Sequence, residues 1–391
     1  MRRSQLLPAL VAGLALIVGW ATTPAHAAVD AANVRSVGHF AFPHGTDNAF
    51  HGRYVYAAQA DSSEGKSPSR GDGGIHIIDI SGATPRKVGF VRCSGYQNDV
   101  AVVKTGLIAV GAHHSSCGGI DGHAGVHLVD VRDPKRPRIL GSVHLAGGTH
   151  TLTKVPGHPL IYSSPGGLGP PAEEWMIDVS DPNEPRVVGS FVPNQLGCHD
   201  ISFATIKGRP LGFCASTNET LILDVGNPRK PTVVSRVIDG ASFHHYAAPS
   251  PDGKLLVVND ENFIAHECVT AGRGVTGALW IHDISDISNP TIAGYVGPRR
   301  GISPVSGIVG GPEEWCTSHN FNFLPGTRTL VGAWYSGGTS VVDLTDPLAP
   351  REIAHYTPDD ASAWSSYYYK GRIYVTDYHR GLDVIEIRKL R

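Results

Sequence analysis

Four short segments place an imidazole at the head of an apolar strand: "GGTHTLT" (147–153), "GCHDISF" (197–203), "SFHHYAA" (242–248) and "TSHNFNF" (317–323). The candidates they offer are His150, His199, His244 or His245, and His319. Neutral imidazole nitrogens are ligands for copper, iron or zinc. A site of three or four of them with an open position can activate water or dioxygen for oxidative or hydrolytic chemistry. The competing reading makes them polar lining that hydrogen-bonds water and carbonyls at a channel mouth. Either reading needs a fold that gathers side chains lying roughly 50 to 75 residues apart in sequence.

Such a fold is legible as a repeat. "GGIHIIDI" (73–80), "GVHLVDV" (125–131), "EWMIDV" (174–179), "TLILDV" (220–225), "ALWIHDI" (278–284), "TSVVDL" (339–344) and "LDVIEI" (382–387) are apolar strands with an acid near the end. The acids, Asp79, Asp130, Asp178, Asp224, Asp283, Asp343 and Glu386, are spaced by 51, 48, 46, 59, 60 and 43 residues. A period near 50 with strands in every unit marks a propeller or another repeat array. Proline-bearing turns follow most of the motifs ("RDPKRP", "SDPNEP", "GNPRKP", "SDISNP", "TDPLAP"), then a further strand such as "RILGSVHL". A hairpin such as "DVAVVKTGLIAVGA" precedes them. Each unit therefore predicts four antiparallel strands, A to D from the inside out, which make one blade. The fold class is all-β, a seven-bladed β-propeller. The last unit lacks strand D, and "VRSVGHFAF" (34–42) is expected to supply it and close the ring.

The strands "LVDV", "IIDI" and "LILDV" resemble the LVIVD repeat family, exported bacterial proteins expected to be propellers. The resemblance covers essentially the whole chain after residue 27 and implies architecture, not chemistry.

In a propeller, strand A lines the central channel. Counting back seven residues from the glycine of each A–B turn reaches His150, His319, Asp99 and Trp364. His199 lies nine residues before Gly208, which keeps strand parity, and His244 or His245 fills the place in blade 5. In blade 1 the likeliest occupant is Asp47 or Asn48. Four successive blades, the third to the sixth, should thus aim imidazoles at one axial mouth, with Asp99 from the second as a ligand or catalytic base. The B–C loops on the same face add a polar, aromatic-rimmed cup for a small-molecule ligand: His113, His114, Glu261, His266, Trp334, Tyr335 and His379, beside Trp364.

Residues 1–27, with Arg2, Arg3, an apolar centre and an Ala25-His26-Ala27 ending, read as a signal peptide cut after Ala27, and 28–33 as a short leader. No other stretch is apolar enough to span a membrane. Export makes disulfides the expected state of the six cysteines. Neighbouring blade positions pair Cys93 with Cys117, Cys198 with Cys214, and Cys268 with Cys316. Metal ligation by Cys198 is the minority alternative. The formal charge of −2 is spread over both signs without a basic stripe, which excludes a nucleic-acid partner. The chain is expected to be a secreted or extracytoplasmic monomer. The alternative to a metal site is a scaffold that presents its loops to a protein, glycan or cell-envelope partner.

Overall fold

The computed structural model describes residues 29–61, 72–93, 95, 98–112, 124–146, 148–165, 172–262, 277–297 and 315–388. The expected signal peptide lies outside them. The described strands form seven antiparallel sheets of a β-propeller. The innermost strands, in blade order, are Gly45–His51, Asn98–Lys104, Thr151–Lys154, Asp200–Ile206, His244–Pro249, Phe321–Phe323 and Ala363–Tyr369.

The acid that ends strand C has a local role in every unit that carries an aspartate there. Oδ1 of Asp79, Asp130, Asp178, Asp224, Asp283 and Asp343 accepts the backbone N–H two residues on, at 2.8–3.0 Å. The Asx residue inside the following turn repeats the device, as when Lys135 N–H donates to Asp133. The side chain thus satisfies the backbone where the ladder stops. Strand D then leaves with a register shift in all seven blades, often at glycine. The reason is close approach. A Cβ on Gly89 would lie 1.7 Å from the carbonyl oxygen of Pro134, in the proline turn of the next blade. One on Gly141 would lie 2.6 Å from that of Asn183. At these two places the turn docks on its neighbour's outer strand where only glycine leaves room.

Seven apolar clusters fill the seams between blades. One joins Ile77 of blade 1 to Val110 of blade 2. Another joins Val55 and Ile78 of blade 1 to Tyr374 and Leu382 of blade 7, so the ring is complete. Val34–Phe40 pairs with Gly381–Ile387 as the outer strand of blade 7, as the missing strand D requires. Residues 28–33 are expected from the sequence as a short leader ahead of the first blade strand. Instead Val29–Ala32 pairs with Arg351–Pro358 as a fifth, outermost strand of blade 6. The N-terminal segment therefore clasps two blades. Among the described residues no helix is long and apolar enough to cross a membrane.

Candidate functional site

Four imidazoles stand side by side where inner strands three to six begin. The ring centres of His150 and His199 are 4.4 Å apart, those of His199 and His245 4.2 Å, and those of His245 and His319 4.1 Å. Local structure fixes each one. His199 N–H donates to Ala215 O at 2.7 Å. The preceding residue, Cys198, is tied to Cys214 of the neighbouring strand by a disulfide, with Cα atoms 5.2 Å apart. Cys198 N–H also donates to the buried carboxyl of Glu174 at 2.7 Å. Nδ1–H of His319 donates to Trp364 O at 2.6 Å, which leaves Nε2 as the atom facing the channel.

Glu261, from the loop after strand B of blade 5, completes the group. Its carboxyl oxygens lie 3.5 Å from Nε2 of His245 and 3.5 Å from Nε2 of His319. The Tyr335 hydroxyl donates to it. One ligand atom each from His199, His245 and Glu261 lies within 4.8 Å of the others, and all three residues are buried. Donors around one metal at 2.0–2.2 Å lie roughly 3.3–4.4 Å apart, so an ion would draw the trio in by a few tenths of an ångström. Nδ1 of His245 is buried without a hydrogen bond.

Burial dominates the electrostatics. It holds His319 down to about 3 and His245 well below its ordinary value, with neighbouring imidazoles adding to the effect. It pushes Glu261 up to about 8, against the Tyr335 hydrogen bond that lowers it. The cluster therefore carries little charge of its own at neutral pH. It offers lone pairs in a desolvated pocket, which suits a cation that replaces the carboxyl proton.

Other candidates fall elsewhere. His244 points away from its neighbour His245: Nδ1 meets the Thr220 hydroxyl at 2.9 Å, and Nε2 lies 3.1 Å from Asp239, which also meets His282. Adjacent strand residues face opposite ways, so only one histidine of the pair reaches the channel. Asp99 does not sit level with the imidazoles. It pairs with Gly111 as Asp200 pairs with Ala215, one residue further along the strand than His199. Its carboxylate accepts N–H groups of Val100 and Leu152 at 2.6 Å and meets Asp47. Trp334 belongs to no rim: it is fully buried against Leu279 and Phe321 between blades 5 and 6. Tyr335 and Trp364 do flank the site, with rings 5.0 and 4.8 Å from that of His319. His379 is exposed, with Nδ1 3.1 Å from Asp360 O. His113, His114, His266, Cys117 and Cys268 lie outside the described residues. Cys93 and Cys316 are disulfide-bonded.

The sequence reading treated Glu261 as a loop contact for a ligand. Its place beside two imidazoles depends on the strand B register, which periodicity does not reveal.

No family model and no curated protein matches this chain. Solved structures do. A functionally unknown protein from Desulfotomaculum acetoxidans matches at 13% identity and TM-score 0.54, over 77% of this chain and 83% of that one. The β-propeller domain of Cps50 (Swd1) from Myceliophteria thermophila matches at 9% identity and TM-score 0.59, over 90% of this chain and 99% of that one. Sqt1 of Saccharomyces cerevisiae matches at 10% identity and TM-score 0.54, over 88% and 83%. The likeness establishes a β-propeller and nothing finer.

Proposed function

We propose that this protein is an extracytoplasmic propeller of the LVIVD type that binds one transition metal at its axial mouth. The observation that carries the reading is the buried convergence of His199, His245 and Glu261 within 4.8 Å. Two imidazole nitrogens and one carboxylate oxygen leave coordination positions open, a donor set that suits iron or zinc before copper. His319 and His150 stand next in the arc and are the further candidate ligands. Tyr335 and Trp364 wall the opening and would face a small molecule approaching the ion. A metal with open positions supplies Lewis acidity or, for iron or copper, redox chemistry. The chain's own residues exclude water from one side and hold Glu261 in place. The Cys198–Cys214 disulfide suits an oxidising compartment.

Element analysis of untagged protein tests this. Close to one iron or zinc per chain is expected, lost in His199→Ala and His245→Ala while the fold persists by circular dichroism. A metal-free protein whose melting temperature ignores added iron, zinc and copper would overturn it and favour a non-catalytic scaffold.

A further inference from the structure

One layer below the imidazoles, the inner strands present a different set of groups. Asp47 comes from blade 1, Asp99 from blade 2, Asp200 from blade 4, Tyr246 from blade 5, Asn320 from blade 6 and Tyr367 from blade 7. Asp47 meets Asp99, Tyr367 and Asn320. The three aspartates and both tyrosines line a cavity of about 310 Å³. Its remaining wall runs along Thr153 and Lys154 to Pro156, so it opens toward the A–B turns, on the face opposite the imidazoles.

This set has too many acceptors. Three carboxyl groups face the channel with no arginine or histidine ion-paired to any of them among the described residues. The cationic wall residue, Lys154, turns its ammonium to the carbonyl oxygens of Val155 and His158. Asn320 is 5% exposed, its side chain meets Asp47, and its buried Oδ1 has no hydrogen-bond partner. A buried carbonyl oxygen left without a donor next to Asp47, in a group of side chains rich in acceptors, calls for a ligand that donates. A bare metal ion fits poorly: among the described residues, no trio of metal-ligating side chains other than His199, His245 and Glu261 closes to within 4.8 Å. The opening is wider, and Phe203, Tyr246 and Tyr367 give it aromatic walls.

We propose that the lower half of the channel is a second site, which takes the ammonium group of a small organic amine between Asp47, Asp99 and Asp200. Up to three N–H donors would go to the carboxylate oxygens, and the alkyl part would lie against the aromatic rings. Until an amine enters, burial and mutual repulsion hold the carboxyl protons in place, with Glu174 adding repulsion at Asp200. Entry of a cation releases them, so binding tightens as pH rises from 6 to 8. The titratable groups facing the cavity are the three aspartates, Tyr246, Tyr367 and Lys154.

The site is independent of the metal reading, and one calorimetric titration separates them. Butylammonium chloride added to wild-type protein at pH 8, against sodium chloride of equal ionic strength, should give saturable binding. Affinity should be at least ~10-fold weaker at pH 6 and in Asp200→Asn, and unchanged in His245→Ala. Tyr367→Phe, which keeps the ring, should weaken it less than Asp200→Asn. A response equal to that of sodium overturns the proposal. So does saturation by calcium chloride but not by the amine, or full retention of amine binding in Asp200→Asn.

Discussion

Nδ1 of His319 donates to the backbone carbonyl of Trp364 at 2.6 Å, and its Nε2 therefore faces Glu261 across 3.5 Å. The carbonyl belongs to the next blade, so the packing of blade 7 on blade 6 sets the tautomer of an imidazole in the proposed metal centre. Replacing His319 with Gln should weaken metal binding by roughly 10-fold without abolishing it, because His199, His245 and Glu261 remain. Competition with a chelator of known affinity measures this.

Tyr335 supports the same centre from the other side. Its hydroxyl opposes the upward push that burial exerts on Glu261. Tyr335→Phe should raise the Glu261 pKa further and move the pH at which metal is half bound upward. The proton released on binding sets the sign. Glu261, at about 8, is protonated at neutral pH, whereas His319, at about 3, is not. Metal affinity should climb with pH to about 8 and then level. A profile breaking near 6.5 would instead implicate an ordinary histidine.

The metal-free protein should show unusual pH stability. Glu174 and Glu261 are pushed to about 8 and Asp99 upward as well, so folding retains protons that the unfolded chain loses above about pH 4.5. Their contribution to stability declines as pH rises toward 8. His76, His245 and His319 are depressed and act oppositely, but only below about 6.5, where unfolded histidine takes up protons. The melting temperature should not rise between pH 5 and 6.5, where the two sets offset, and should fall by several degrees between pH 6.5 and 8.5. Differential scanning calorimetry across that range decides it.

Gly141→Val should destabilise by about 1–3 kcal/mol, since its added carbons meet the Asn183 carbonyl and Pro185. Gly157→Val is the control for crowding: that glycine has positive φ but no atom within 4 Å of its Cβ position. Its cost is backbone strain alone, and Asn at 157 should recover much of it. Urea denaturation of the three variants separates the two causes.

Removing residues 29–32 strips only the outermost strand of blade 6, whereas removing 29–40 also takes strand D of blade 7. The first deletion should cost a few degrees of melting temperature and the second roughly 10 °C or more, with Val34 lost from its seam.

The blade count, the closing strand and the arc of imidazoles follow from local signals: an acid recurring about every 50 residues, a proline turn after most of them, and a histidine at the head of four successive inner strands. Depth along the channel was less legible. Anchoring on turn glycines put Asp99 level with His150 because the A–B hairpins differ in length, and only cross-strand pairing shows that it matches Asp200. His244 and His245 could not be told apart, since the register shift inside that hairpin is invisible in the sequence. Trp334 follows a B strand as Tyr335 does, yet one fills a seam and the other touches Glu261. Glu261 itself carries no local mark, because what places it is tertiary.

The strand that closes the ring lies in blade 7, whose inner strand holds His319 through the Trp364 carbonyl. Blades 7 and 1 are welded by a strand from the N-terminal side, while the four histidines come from one uninterrupted run of blades, the third to the sixth. Opening of that joint would loosen blade 7 and with it the Trp364 carbonyl, so the arc would give first at His319 while His150, His199 and His245 stay in continuous blades. Durability of the whole and readiness of the centre therefore meet at a single imidazole, the one nearest the closing blade.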